Sequence, residues 1–302
     1  MVFATLKYGL MMALRHKRML LVYYLTSLVA GLIVMAPMRA RLAGYLDGSL
    51  AGERLAGSMD MDFLFEFLIN GGGITPILVL ALVVAAGYFL GQLFLSGGAF
   101  AIFWHNEGYS GERFWGQAGV HFGRFVRLAL LVGLFGGLGF GVIRLLLGGL
   151  EHLVGGSDPY ESTQYWFRWA TTIAHGFWLM IVYIVLDYAR ILTVVSGERR
   201  MLMAFGAALG FVARHLRRTV TLIFVFGPVM STIMTLLYKQ LANLLHHPHW
   251  LAVLAFILLM QGYMIFRAML KLGLFAAEVQ LFRSVTDPGY RASLTAGAPE
   301  PR

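Results

Sequence analysis

The sequence predicts an all-α integral membrane fold with six transmembrane helices. The first observation is composition: 59% of the 302 residues are hydrophobic and 13% are charged, whereas soluble domains are about 45–50% apolar and about 25% charged. The second is a set of six long apolar runs, and the third is a short stretch that occurs twice. A soluble fold of this length could not bury so much apolar surface, so we expect the bilayer to solvate most of it.

Six apolar runs give the predicted spans, and each reaches the roughly 20 residues that cross about 30 Å of hydrocarbon. The runs cover residues 19–38, 74–103, 128–150, 170–195, 219–241 and 250–272. The second, fourth and sixth are long, and we expect tilt or cytosolic helix to absorb the excess. The first is too long for the h-region of a secretory signal peptide, and Pro37 and Arg39 follow it where a cleavage site needs small residues, so it is predicted to be an uncleaved anchor.

The distribution of Lys and Arg predicts the orientation of the chain. Sixteen of these residues fall on one side, in the segments 1–18, 105–127, 196–218 and 271–302. Five fall on the other side: Arg39, Arg41, Arg54, Arg168 and Lys239. Because cytoplasmic loops carry the excess of Lys and Arg, both termini are predicted to be cytoplasmic.

The stretch Ser-Gly-Glu-Arg at 110–113 recurs at 196–199, with an Ala eight residues and a Phe-Val pair fifteen residues after each Ser. We interpret this as a repeated unit, an interfacial elbow helix followed by a helical hairpin. Each Ser is expected to cap its elbow helix, with Glu in the first turn favoured by the helix dipole. The predicted domain covers 1–283, with repeat units at about 1–105, 106–196 and 197–283, and a mobile tail at 284–302.

The elbow helices are amphipathic and rich in basic residues, which is typical of segments that lie in the membrane interface. We expect their cations to contact anionic lipid headgroups at the cytoplasmic face. The predicted contacts are Arg15, Lys17, Arg18, Arg124, Arg127, Arg214, Arg217 and Arg218. This assignment accounts for the net charge of +9, so nucleic acid is not a predicted partner; lipids, other membrane proteins and further copies of the chain are.

Glycines spaced four residues apart mark candidate helix-packing faces. Gly133, Gly137 and Gly141 lie in the third span, and Gly87 and Gly91 lie in the second. Small residues at this spacing let helix backbones approach closely in lipid, within one chain or between chains. The alternative is a flexible helix that moves during a transport cycle.

Two groups of charges lie near the predicted cytoplasmic ends of spans. Asp187 and Arg190 are one turn apart, and ionisable residues at membrane depth favour a gate or proton site; the alternative is an i,i+3 pair that ties span four to the third elbow or to span six. Arg267, Lys271 and Glu278 share one helical face and could line an anion path. A snorkelling stripe with a cytosolic salt bridge is the alternative.

Arg144, in the third span, is a further candidate charge. It lies toward the outer third of its span, where Glu151, Glu161 or an anionic lipid could meet it. The segment 59–70 is predicted to form an external helix, serving as a lid or as a docking surface for a partner protein.

Catalytic and metal chemistry find little support in the sequence. His246, His247 and His249 are close enough to bind Zn²⁺ or Cu²⁺, but Pro248 breaks their helical spacing, and a headgroup-level loop is the preferred interpretation. His105 and Glu107 have no accompanying nucleophile. Cysteine is absent, which excludes disulfides and thiolate sites. The sequence therefore predicts no cofactor and no enzyme activity.

Several stretches resemble a broad group of six-span prokaryotic integral membrane proteins, a domain of unknown function. They are the basic N-terminal elbow and residues 63–68, 94–99, 123–127, 187–191 and 208–215. The resemblance covers nearly the whole chain and implies the fold and its topology. The group has no established activity, so no catalytic residue carries over.

These observations favour a non-enzymatic multi-pass membrane protein, an accessory, assembly or lipid-organising subunit that packs against other membrane proteins. The alternative is a transporter or channel-like protein for a small amphiphile or lipid. A membrane enzyme acting on lipids would need His105, Glu107 or Asp187 around one cavity.

Overall fold

Helices make up nearly all of the chain that the structure describes. The computed structural model describes residues 2–46, 74–106, 108–155, 161–244 and 250–287. Of these residues, 95% are helical and none lies in a strand. The predicted all-helical fold class is therefore confirmed over these ranges.

Within these ranges, six helical stretches are long and apolar enough to cross a membrane, in agreement with the six predicted spans. The first part of the chain forms α1 (Val2–Arg15), α2 (Lys17–Leu46) and α3 (Ile74–His105). The middle forms α4 (Gly111–Gly155), α5 (Glu161–Ser196) and α6 (Met201–Arg214). The last part forms α7 (Leu216–Phe224), a π-helical turn (Val225–Val229), α8 (Met230–Leu244) and α9 (Trp250–Thr286). This is the architecture of a multi-pass membrane protein.

The junctions between elbows and spans differ along the chain. α1 is separated from α2 at His16, and α6 from α7 at His215, whose φ of −121° and ψ of 24° leave the helical region. Each break lies at the histidine of an Arg-His pair. The second predicted elbow has no such pair, and α4 runs as one continuous helix of 45 residues through it.

The segment that leads into α6 differs from the prediction. Ser196 ends α5, where its hydroxyl donates to the Leu192 carbonyl oxygen at 2.7 Å. The Glu198 carboxylate instead accepts from the backbone N–H groups of Arg199 and Arg200, both at 3.0 Å. The prediction that Ser196 caps this helix is wrong, because the N-cap residue is Arg200 and no side chain caps it.

The chain divides into two compact units. One comprises residues 21–92, and in it the hydroxyls of Ser27 on α2 and Tyr88 on α3 lie 3.1 Å apart. The other comprises residues 1–20 and 93–302. The single domain expected over 1–283 stays a prediction.

In the larger unit, α1 packs directly on the end of α9. A Cβ atom placed on Gly9 would lie 2.3 Å from the carbonyl oxygen of Gly273, so only glycine allows this approach. The end of α3 approaches α4 in the same way, since a Cβ on Gly98 would lie 2.5 Å from the Phe114 carbonyl oxygen. These close crossings place the last turns of α3 and α9 inside the unit.

Candidate functional site

A buried ion pair on α5 is the centre of the candidate site. The Arg190 guanidinium donates to the Asp187 carboxylate one turn earlier. Asp187 is fully buried, and Arg190 is 5% exposed. The i,i+3 spacing and the apolar surroundings of α5 bring the two charges together, because a buried charge requires a partner.

Arg190 also joins α5 to α3. Its Nη1 donates to the Ser96 hydroxyl oxygen at 3.1 Å, and the Ser96 hydroxyl donates to the Leu93 carbonyl at 2.8 Å. Both side chains are buried. The hydrogen bond therefore ties α5 to α3, a partner helix that the sequence did not suggest.

Two aromatic rings lie together on one side of the guanidinium. Its carbon lies 5.7 Å from the ring centroid of Phe100 on α3 and 5.9 Å from that of Phe275 on α9. The ring centroids are 4.6 Å apart. A cation over aromatic faces is attracted by their quadrupoles, and the attraction grows where water is excluded. Arg190 thus links three helices.

Glu278 on α9 lies next to this cluster and is also fully buried. The Arg190 guanidinium and the Tyr188 phenol are close enough to interact with it electrostatically. Within the described part of the chain, neither carboxylate oxygen of Glu278 accepts a hydrogen bond, and the Tyr188 hydroxyl has no partner. The cluster therefore contains one acid that is paired and one that is not hydrogen-bonded.

Glu278 does not form the predicted cytosolic salt bridge. α9 continues to Thr286, well beyond the predicted end of the span at 272. α1 covers these last turns, so Glu278 faces the interior. Lys271 is half-buried and is repelled by the like charges of Arg190 and Arg267. Arg267 itself is exposed.

The predicted lipid-contacting cations lie mainly on the surface near the elbows. Exposed members are Arg15, Lys17, Arg18, Arg127, Arg214, Arg217 and Arg218. Arg124 is half-buried, and its Nη1 donates to the Gly197 carbonyl at 3.3 Å. Arg127 lines a cavity of about 460 Å³ together with Arg199 and Arg200. Arg124 thus has a structural contact, while the others are accessible to headgroups.

The glycines of α4 divide into two faces. A Cβ on Gly136 would lie 3.3 Å from Val182, and one on Gly139 would overlap the Trp178 ring on α5. The Trp178 indole N–H donates to the Gly136 carbonyl at 2.9 Å. By contrast, a Cβ on any of the predicted packing glycines would meet no described atom within 4 Å: Gly133, Gly137, Gly141, Gly87 and Gly91.

Arg144 lies on α4 and is exposed. It lines a cavity that Glu151 and Arg168 also line, and a contact between Arg144 and Glu151 stays a prediction. The side chain of Glu161 is outside the described set. Arg168 was not singled out in the sequence, although it lies four residues after Gln164 and joins the same cavity.

Several predicted features fall outside the described residues. They are the histidines His246, His247 and His249, the segment 59–70, Glu107, and the tail beyond residue 287. Among the residues that the structure does describe, no three His, Asp or Glu side chains are grouped as a metal site would require.

Sequence reasoning missed Ser96, Phe100, Tyr188 and Phe275. The first three lie in apolar runs where their residue types are unremarkable, and Phe275 lies just beyond the predicted end of span six. A partial signal was the register of α9, since Lys271, Phe275 and Glu278 follow at intervals of four and three residues. That spacing places an aromatic ring on the same face as the charges.

Comparison with known proteins identifies no relative. No protein-family profile, no curated protein and no solved structure matches the chain. The resemblance to six-span prokaryotic membrane proteins stays a prediction, and the function must be argued from the residues themselves.

Proposed function

We propose that the protein is a non-enzymatic accessory or assembly subunit that packs α4 against a helix of another membrane protein or of a second copy. One observation carries the proposal. On α4, Gly136 and Gly139 pack against α5, whereas Gly133, Gly137 and Gly141 form a second glycine face that meets nothing among the described residues.

The cost of glycine supports a packing role for this open face. Glycine in a helix interior is less favourable than alanine by about 1 kcal/mol. Lipid tails gain nothing from a glycine stripe, but a neighbouring helix does, because small residues let two backbones approach to van der Waals contact. Three such residues at four-residue spacing therefore favour a helix, and not lipid, as the neighbour of this face.

The lipid-organising part of the role rests on the basic residues at the elbows. The exposed arginines beside α1, α6 and α7 are suited to anionic headgroups. We extend the proposal to the topology: three elbow-plus-hairpin units with both termini in the cytoplasm of a prokaryotic cell. The accessibility of single cysteines from each side of the membrane tests this orientation. Labelling of a Lys7→Cys variant from the outside of intact cells would contradict it.

The assembly role is tested by the size of the complex in mild detergent. Gly133→Leu with Gly137→Leu places two large side chains on the open face. We expect this variant to dissociate from its partner, so that its complex is smaller than that of the wild type. Ile173→Phe enlarges an exposed side chain on α5 and is the matched control. If both variants keep the wild-type assembly, the proposal is overturned.

A transport function is the second candidate, and Glu278 is the observation that favours it. A fully buried carboxylate without a hydrogen bond is costly and is typical of proton or ion pathways in membrane proteins. Flux of lipids or ions through liposomes containing the protein would support this function if Glu278→Gln abolishes it and Arg267→Gln does not. No flux in any wild-type preparation would count against it.

A further inference from the structure

A polar cavity of about 370 Å³ lies between α4 and α5, at the end of this hairpin that is remote from α6. The side chains that line it are Arg144, Glu151, Gln164, Arg168, Thr171 and Thr172. It is separate from the buried ion pair on α5, which lies near the other end of that helix. A polar cavity in so apolar a hairpin requires an explanation.

The spacing of the sequence creates this cavity. On α4, Arg144, Gly148 and Glu151 follow at intervals of four and three residues, and on α5, Gln164 and Arg168 are also four apart. Residues at these intervals share one helical face. Two polar faces therefore meet across an antiparallel hairpin, and Gly148 leaves room between them, since no described atom lies within 4 Å of a Cβ placed there.

The charge of the cavity favours an anion. Among the described residues, two guanidinium groups line it against one carboxylate, and neither guanidinium forms an ion pair or a hydrogen bond. The Thr171 and Thr172 hydroxyls donate to carbonyl oxygens of their own helix, both at 2.8 Å. The charged donors that remain for a ligand are the arginines.

The neighbouring aromatic residues place the cavity at the level of lipid headgroups. Tyr165, Trp166 and Trp169 are 56%, 70% and 50% exposed, and the apolar run of α5 begins just after them, at residue 170. Exposed Trp and Tyr at the end of a span mark the membrane interface. Lipid phosphates lie at this depth.

We propose that this cavity binds a phosphate group, carried by an anionic phospholipid headgroup or by a free phosphate. The planar guanidinium fork binds phosphate oxygens through two parallel hydrogen bonds, which suits Arg144 and Arg168. Snorkelling explains one arginine near a helix end, but not two that converge on one cavity. The assignment goes beyond the assembly role, because it concerns the opposite end of the hairpin from the basic elbows.

Native mass spectrometry of the detergent-purified protein with added phosphatidylglycerol tests the site. The variant Arg144→Gln with Arg168→Gln removes both charges while keeping polar, hydrogen-bonding side chains. Arg39→Gln with Arg41→Gln is the matched control, because these exposed arginines of α2 do not line the cavity. We expect the cavity variant to bind one phosphatidylglycerol fewer per chain, with that affinity reduced roughly tenfold to a hundredfold, and the control to bind as the wild type does.

The source of the phosphate is resolved by a second titration, with inorganic phosphate in lipid-free detergent. Thermal stabilisation of the wild type that the cavity variant lacks, without a difference in bound phosphatidylglycerol, identifies free phosphate as the ligand. Glu151→Gln removes the one lining carboxylate and should tighten binding of either ligand. If the cavity variant matches the control in both titrations, or Glu151→Gln weakens binding, the proposal is overturned.

Discussion

Arg190 on α5 donates a hydrogen bond of 3.1 Å to Ser96 on α3 while it pairs with Asp187. This relationship joins residues 94 positions apart in the sequence. The guanidinium also lies near the Phe100 and Phe275 rings. These contacts join α3, α5 and α9, and their contribution to stability can be measured.

Arg190→Ala should destabilise the protein by about 3–5 kcal/mol, because it leaves Asp187 as a buried charge without its partner. Reversible unfolding in mixed detergent micelles measures the change. Arg267→Ala on α9 removes an exposed arginine and should change the free energy of unfolding by less than about 0.5 kcal/mol. Equal effects of the two variants would contradict the account of the cluster.

Glu278→Gln should leave the free energy of unfolding unchanged or raise it. The carboxylate accepts no hydrogen bond from a described residue, and burying a charge without hydrogen bonds costs more free energy than burying a neutral amide. Asp187→Asn keeps a similar shape but weakens the ion pair, so it should destabilise. The same unfolding assay compares the two; a larger loss for Glu278→Gln would mean that Glu278 has a stabilising partner.

Residue spacing along the sequence predicted the features that lie within a single helix. Six apolar runs gave the six spans, and the three-residue interval between Asp187 and Arg190 gave their ion pair. The partner Ser96 could not be predicted, because the pairing of α5 with α3 depends on tertiary packing. Glu278 was expected in solvent because hydropathy ended span six at 272, whereas packing against α1 prolongs the helix and buries its last turns.

The glycines of α4 show the same limit. Spacing alone identified Gly133, Gly137 and Gly141 as a packing face, and the same sequence contains Gly136 and Gly139. Which face meets α5 is set by the shape of Trp178, whose indole fits only where no Cβ is present. The convergence of Arg144 and Arg168 likewise depends on how the hairpin aligns its two polar faces.

The two glycine faces should respond differently to the same substitution. Gly139→Leu should destabilise the protein by about 1–3 kcal/mol or more, because a Cβ there would lie 2.1 Å from the Trp178 ring. Gly137→Leu should cause no loss in the isolated protein, since its Cβ would meet no described atom within 4 Å and leucine is the better helix former. The melting temperatures of the two purified variants measure this difference. A destabilised Gly137→Leu chain would show that this face is already packed.

Acidic pH should weaken the junction between α1 and α2 through His16. Burial, and secondarily the Arg15 charge, lower the pKa of His16 from its ordinary value of 6.5. The ring stacks edge-on against Phe103, with centroids 5.7 Å apart, and its Nδ1 lies 3.2 Å from the Met12 carbonyl oxygen.

Proton linkage determines how stability changes with pH. The folded chain binds this proton less readily than the unfolded chain, so the stabilisation is present above about pH 6.5 and is lost as the pH falls from there toward the folded-state pKa. Unfolding measured from pH 8 to pH 5 should show this loss in the wild type and a smaller one in His16→Phe. An equal slope in both proteins would exclude His16 as its source.

The most direct test of the assembly role identifies what touches Gly137 in the native membrane. The chain lacks cysteine, so Gly137→Cys provides a unique site for a benzophenone probe, and Ile173→Cys provides the matched site on α5. On illumination we expect the Gly137 probe to give a discrete protein adduct, to a partner or to a second copy, and the Ile173 probe to give mainly lipid adducts. Lipid adducts alone at Gly137, from a fully labelled and folded protein, would contradict the proposal that this face packs against another helix.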